Sequence, residues 1–259
     1  MGFFLISIHY YPVKSLSFSN LNNTIIKKKL GLINDRIFAF SRNISIEKAN
    51  LVKNFPRERK LNHFLTLKNT PVLNKYKFFY DNMNLTLFRE NEKIISISAN
   101  NYEQYEIISN KLLELESSIL KPIFLLKNTD FPFFDTTHSD SVSNTISLIN
   151  INSIRDIEKK TQIKIEFERF RGNLYIDGLD AWKERSWIDK ILRINNVLFK
   201  VEKHIPRCSA TNLQPNTDKV TINLPITLKK YYNHIDMGVY LRPLNDGKIN
   251  IGNQIILDE

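Results

Sequence analysis

The stretch RIFAFSR, residues 36–42, sets Ile37, Ala39 and Ser41 against Phe38, Phe40 and Arg42, the two-residue period of a strand with unlike faces. It is one of a series. FFLISIHY (3–10) is a β-type run closed by Pro12, and TIIKKKL (24–30) runs into the turn residue Gly31. FLTL (64–67) and LTLFRE (85–90) follow, with turn chemistry at Asn69-Thr70-Pro71 and Asp81-Asn82. Short strands so closely spaced predict a barrel or sandwich of Greek-key type.

Helical patterning interrupts the strands in few places. Asn101 is placed to cap a helix with Gln104 at the capping-box position, and Tyr105, Ile108, Leu112 and Leu115 mark its buried face. Residues 127–144 carry no clean period and read as a long ordered loop or crossover. A shorter helix is predicted over Ser153–Lys160, and PITLKKYYN opens another with Pro225 in its first turn. Between them KILRINNVLFKVEKHI reads as a hairpin turning at Asn195-Asn196. The closing GVYLRPLNDGKINIGNQIIL predicts a hairpin at Asn245-Asp246-Gly247 and a last strand after Gly252. Trp182 and Trp187 are expected as core anchors.

Composition narrows the function. With 259 residues, 42% hydrophobic and 25% charged, the chain can bury one large core or two modest ones. The formal charge of +10 favours anionic partners without choosing among nucleic acid, membrane, phosphorylated ligand and acidic protein. A single cysteine excludes an internal disulfide framework, a cysteine-rich zinc site and an iron–sulfur cluster held by this chain alone. The apolar start is too short to span a bilayer and has no secretory cleavage pattern, so no membrane span and a cytoplasmic location are expected. The basic clusters at 27–29, 57–60 and 229–230 come without a recognition helix or an aromatic RNA-binding signature, so no nucleic acid is expected as a partner. Glycine-rich phosphate loops, zinc-protease motifs and serine-hydrolase elbows are missing from the sequence.

Four short segments describe one plausible site. YPVKS (11–15) puts Lys14 and Ser15 just after a strand, and NDR (34–36) puts Arg36 between a glycine-bearing turn and a strand. RFRGN (169–173) clusters Arg169, Arg171 and Asn173, and PRCSAT (206–211) supplies Arg207, Cys208 and Thr211. Together they offer several cationic forks for a phosphate and one soft sulfur ligand, and an adjacent arginine favours the thiolate that binds metal. Cys208 is otherwise open to two readings: a packed apolar side chain, or a nucleophile paired with His204. Residues four apart on a strand lie about 13 Å from each other, so that pairing needs an intervening turn.

In this order the segments resemble the MOSC proteins that carry an N-terminal β-barrel partner domain, a set that includes the mitochondrial amidoxime-reducing component and bacterial relatives. YPVKS and GLINDR match the N-terminal domain. SLININSI (147–154), RFRGN, the RC-x-x-T-x-x-x-P pattern of RCSATNLQP, and the C-terminal GVYLRPLNDGKINIGNQI match the MOSC domain. Departures stand at Gly172, where many relatives have proline, and at Gln214, Asp218, Asn253 and Asn150.

The resemblance implies a mainly β fold with a few helices (α+β), two β-barrel-like domains packed around a cofactor cleft, divided as 1–120 and 121–259. It implies a molybdenum cofactor (Mo-molybdopterin) with Cys208 as the protein's metal ligand and catalytic residue. Lys14, Ser15, Arg36, Asn150, Ser153, Arg171, Asn173, Arg207 and Thr211 would bind the cofactor. The expected activity is reduction of small N-hydroxylated or N-oxide compounds. Longer bacterial relatives carry a C-terminal iron–sulfur domain, whereas no cysteine follows Cys208 here. Electrons are therefore expected from a separate ferredoxin-, flavodoxin- or cytochrome-like protein, steered by the basic surface. The alternatives are a carrier or sulfur-transfer protein using Cys208, and a basic nucleic-acid-binding β-protein in which Cys208 is structural.

Overall fold

A computed structural model describes residues 2–16, 19–134 and 146–258. The first half contains β1 (Phe3–Tyr10), β2 (Ser19–Leu21), β3 (Asn23–Lys27), β4 (Gly31–Leu32), β5 (Phe38–Phe40) and α1 (Ile46–Asn54). After a run of 3₁₀ turns come β6 (Tyr76–Tyr80), β7 (Asn84–Arg89), β8 (Glu92–Ser98) and α2 (Gln104–Leu115). The second half holds β9 (Leu125–Lys127), β10 (Ile146–Asn150), α3 (Ile151–Thr161), β11 (Leu174–Asp177) and β12 (Ile191–Ile194). It finishes with β13 (Val197–Pro206), α4 (Leu224–Tyr232), β14 (Asp236–Pro243), β15 (Gly247–Asn250) and β16 (Gln254–Asp258).

Seven strands close into a barrel in the order β11-β10-β14-β13-β12-β16-β1, with β1 pairing back onto β11 and β2 appended beyond β1. Alternation supplies its interior. Leu5 and Ile8, Leu148, Leu174, Phe199 and Val201, and Val239 and Leu241 are buried together. Closure removes the free edges that such short strands would otherwise expose. The fold is thus mixed α+β around a closed barrel, one of the two arrangements the strand pattern implied. The division expected near residue 120 falls between α2 and β9, yet β1 completes the barrel of the second half.

The rest of the first half packs around a second core. The β6-β7-β8 meander and the β5–β9 pair enclose Phe38, Phe40, Tyr76, Phe78, Leu85 and Leu87. Helix α2 closes that core with Ile108 and Leu112. Its entry uses the expected residues in a different way: Asn101 accepts the Glu103 N–H at 3.0 Å, and the Gln104 side chain accepts from Ser98 N at 2.7 Å. Helices α3 and α4 lie against the barrel through Ile154, Ile157, Leu224 and Leu228.

Three local expectations are corrected. Gly247–Asn250 does not fold back on β14; it pairs antiparallel with β3, because Asn245 is occupied holding Leu198 N and the Asn196 carbonyl. FLTL is no strand but a loop touching Ser41 at one bridge, its polar groups tied within the 64–70 turn by Asn69. Helix α1 appears where no helix was expected, capped by Ser45 on Lys48 N. The predicted crossover is described only for 127–134; its remainder lies outside the described residues. Trp187 is buried in the barrel core, whereas Trp182 is half-buried at the α3–α4 face.

Candidate functional site

A cleft of about 610 Å³ lies between the two halves. Lys14, Ser15 and Arg36 reach it from the first half, with the 61–69 loop behind them. Arg171, Asn173, Arg207, Cys208 and Thr211 reach it from the second half, so eight of the ten sequence-predicted residues converge there. Among the described residues, six Lys or Arg side chains line it and no Asp or Glu does.

Each residue owes its place to an element end. The isolated Val13–Phe38 bridge and the Lys14 N–H on the Phe38 carbonyl (2.8 Å) hold the chain after β1. The buried Lys14 ammonium donates to the Phe133 carbonyl at 3.1 Å. Ser15, Arg36 and Arg171 all have left-handed backbones (φ 63°, 56° and 51°), conformations costly for side-chain-bearing residues. Arg36 and Arg171 both place their guanidinium carbons over the Tyr11 ring, 4.7 and 4.5 Å from its centroid. Tyr11 hydroxyl donates to the Gly172 carbonyl at 3.1 Å, and Arg171 donates to the Leu16 carbonyl at 2.8 Å.

Behind these arginines runs a buried polar network that the sequence reading passed over. Asp35, wholly buried, accepts from Tyr11 N at 2.7 Å, from the Asn173 side-chain amide at 3.1 Å, and from Arg36. Asn173 in turn accepts from Ser147 N and Oγ (3.2 and 3.0 Å) and donates to the His9 carbonyl at 3.2 Å. Burial pushes the Asp35 carboxyl up from its usual value, opposed by the Arg36 charge and these N–H donors. Asp35 was visible within NDR, but no local pattern marks it as buried. Ser147, Tyr240 and Phe134 also line the cleft through tertiary approach alone.

Strand β13 ends at Pro206, and the chain turns so that Cys208 is solvent-exposed on the cleft. Thr211 makes that turn: its N–H and its hydroxyl both donate to the Cys208 carbonyl, at 3.1 and 2.8 Å. Arg207 is drawn inward, donating to the carbonyls of Met237 and Phe170, and burial lowers its pKa. His204 points elsewhere. Its Nε2 donates to the Arg185 carbonyl at 3.0 Å, and it lines a separate shallow depression with Trp182 and His234. A Cys208–His204 pair is therefore not formed.

Two predicted contacts are also placed elsewhere. Asn150 caps α3 and donates to Glu184 (3.0 Å) and the Asp180 carbonyl (2.8 Å). Ser153 donates to Glu184 at 2.7 Å and accepts from Trp182 N at 2.8 Å. Neither lines the cleft; both satisfy a buried carboxylate whose pKa burial raises. Among the described residues, no cluster of three or more His, Cys, Asp and Glu is arranged to hold a metal ion. Cys208 is the one His, Cys, Asp or Glu among the described residues that line the cleft. The donor set fits a cofactor: cations for a phosphate, neutral amides and hydroxyls for polar edges, and a single soft thiol.

Comparison with known proteins gives partial matches. A partial match is to mitochondrial amidoxime reducing component 2 of Rattus norvegicus, 36% identical over 87 residues, 33% of this chain and 25% of that protein. Mitochondrial amidoxime-reducing component 1 of Homo sapiens is 28% identical over 117 residues, 40% and 34% of the two chains. The chain thus matches only about a quarter to a third of the length of these curated relatives. Among solved structures, the YUAD protein of Bacillus subtilis aligns over 98% of this chain and 94% of its own, at 10% identity and TM-score 0.46. YiiM of Geobacillus stearothermophilus aligns over 45% and 55%, at 19% identity and TM-score 0.37. Among the described residues, no helix is long and apolar enough to cross a membrane. Residues 135–256 match the family model of the MOSC domain, so the second half of this chain is similar to MOSC domains.

Proposed function

We propose that this protein is a molybdenum-cofactor-dependent oxidoreductase that reduces N-hydroxylated or N-oxide compounds, using electrons from a separate redox protein. The observation that carries the reading is the composition of the cleft among the described residues: six cations, no carboxylate, and one exposed thiol, at a junction between the MOSC-like half and the first half. The names of the curated relatives supply the substrate class. We take 1–120 and 121–259 as the two units that clasp the cofactor, with β1 lent to the barrel of the second.

In this reading Cys208 is the protein's ligand to the metal, presented to solvent by the Thr211 turn. Lys14, Arg36 and Arg171 bind the cofactor's phosphate, the two arginines being held against Tyr11. Ser15 and Asn173 contact its polar edges. Arg207 braces the loop beneath Cys208 through main-chain carbonyls. When bound, the molybdenum cofactor supplies two-electron redox chemistry. The overall reaction takes an N-hydroxylated substrate, two electrons and two protons to the reduced nitrogen compound and water. The basic surface, +10 overall, suits an acidic electron donor.

A second reading is supported by the exposure of Cys208 itself: a carrier that hands on cofactor, or a persulfide held on this thiol. Metal and pterin analysis separates the two. Protein from a host that makes molybdenum cofactor should contain near-equimolar molybdenum and pterin, with metal lost in Cys208→Ser, and should sustain many turnovers with a hydroxylamine-type substrate. Exchangeable cofactor or a labile persulfide without turnover would favour the carrier. Protein with neither metal nor pterin would end the enzyme reading.

A further inference from the structure

Asp35 is fully buried between two residues of the cleft, Arg36 and Asn173, both of which donate to its carboxylate. Its neighbours Asn34 and Arg36 both have left-handed backbones (φ 64° and 56°). The Tyr11 peptide grips this loop from both sides, N–H to the Asp35 carboxylate at 2.7 Å and carbonyl from Arg36 N at 2.6 Å. A loop that needed only to be tied down would do so at lower cost with a neutral amide, because burying a charge is expensive. An asparagine has nearly the same shape and can accept the Tyr11 N–H. It cannot hold a guanidinium by charge. That charge is directed at Arg36, whose side chain is 16% exposed and forms the cleft wall over Tyr11.

We infer that Asp35 is a positioning residue of the anion cleft: it fixes the Arg36 guanidinium in the orientation that grips a phosphate, while Asn173 locks Asp35 to the barrel. The inference rests on the cleft being an anion site. Because Asp35 acts through Arg36, the two residues behave as one unit toward the anion. A merely structural carboxylate would change stability and leave the affinity of the folded protein unchanged.

The test is calorimetric titration of inorganic phosphate into the wild type, Asp35→Asn, Arg36→Ala and the double variant. Asp35→Asn should weaken binding about tenfold, the size of one charge-assisted contact. In the Arg36→Ala background the same change should have less than about a twofold effect, the non-additivity of coupled neighbours. Additive losses, or unchanged affinity in folded Asp35→Asn, would overturn the inference. Should that variant not fold, the wild type still decides. Arginine side-chain nitrogen NMR should show an exchange-protected Arg36 signal that shifts on adding phosphate, and an averaged, unprotected signal would sink the idea. Wild type that binds no phosphate would remove the anion reading of the cleft, and this inference with it.

Discussion

The guanidinium of Arg171 lies over the ring of Tyr11, 4.5 Å from its centroid. Arg36 uses the same ring from the other half of the chain, so one buried tyrosine seats cations from both walls of the cleft. Tyr11→Phe should cost about 1 kcal/mol, the value of the lost hydroxyl bond to Gly172, and leave phosphate affinity within about twofold. Tyr11→Leu removes the aromatic face as well. It should cost a further ~1–2 kcal/mol and weaken phosphate binding about tenfold. Denaturant melts and phosphate calorimetry on the two variants check both halves of the expectation.

Ser153 bonds to Glu184 and Trp182 instead of facing the cleft. Ser153→Ala removes the donor to Glu184 and the acceptor for Trp182 N, leaving polar groups short of partners. Stability should fall by about 1–3 kcal/mol. Molybdenum content per folded molecule should be unchanged, since the side chain does not reach the cleft. Metal loss without loss of stability would restore Ser153 to the binding site.

Gly238 lies in the buried stretch of β14 with φ +80°, and an added Cβ would lie 2.4 Å from the Leu148 carbonyl oxygen on β10. The obstacle is backbone and cannot swing aside. Gly238→Ala should therefore destabilise the barrel by roughly 3 kcal/mol or more, combining left-handed strain with a main-chain clash. Chemical denaturation reads this directly, and a loss under about 1 kcal/mol would show that the β10–β14 contact yields.

Histidine 9 gives the fold an acid limit. Burial lowers its pKa to about 4, against a smaller opposing hydrogen bond from Asn20. The unfolded chain thus binds the proton more readily. Stability is full above the unfolded value near 6.5 and falls as pH drops toward 4, by roughly 3 kcal/mol in total. Burial raises the pKa values of Asp35 and Glu184, which act in the opposite sense at acid pH, so the readout is a difference. His9→Phe, which keeps a ring against Tyr175, should lose less stability than the wild type between pH 7 and 4.5. Parallel pH dependence in the two proteins would show that His9 does not titrate across the unfolding transition.

Much of this molecule is decided within a few residues of chain. The β-type run FFLISIHY, closed by Pro12, is a strand with its observed bounds, and Asn195-Asn196 turns β12 into β13 as expected. Helix α1 escaped because only Ala49 and Val52 of its nine residues are buried, too few to print a period. The cationic segments and Cys208 were legible because each is a short run with its own chemistry, and eight of those residues do converge on one cleft.

Partnership across the chain was decided only in three dimensions. Gly247–Asn250 joins β3, more than two hundred residues earlier, instead of its neighbour β14. Asn150 and Ser153 stand where the resemblance places cofactor contacts, yet the start of α3 turns both onto Glu184, some thirty residues further on. Asp35 acquires its role only when Tyr11 and Asn173 close around it. Period, capping and turn chemistry act between near neighbours, so the sequence displays them. Strand partners and buried hydrogen bonds depend on which distant groups need satisfying once water is excluded, and only the packed chain determines that.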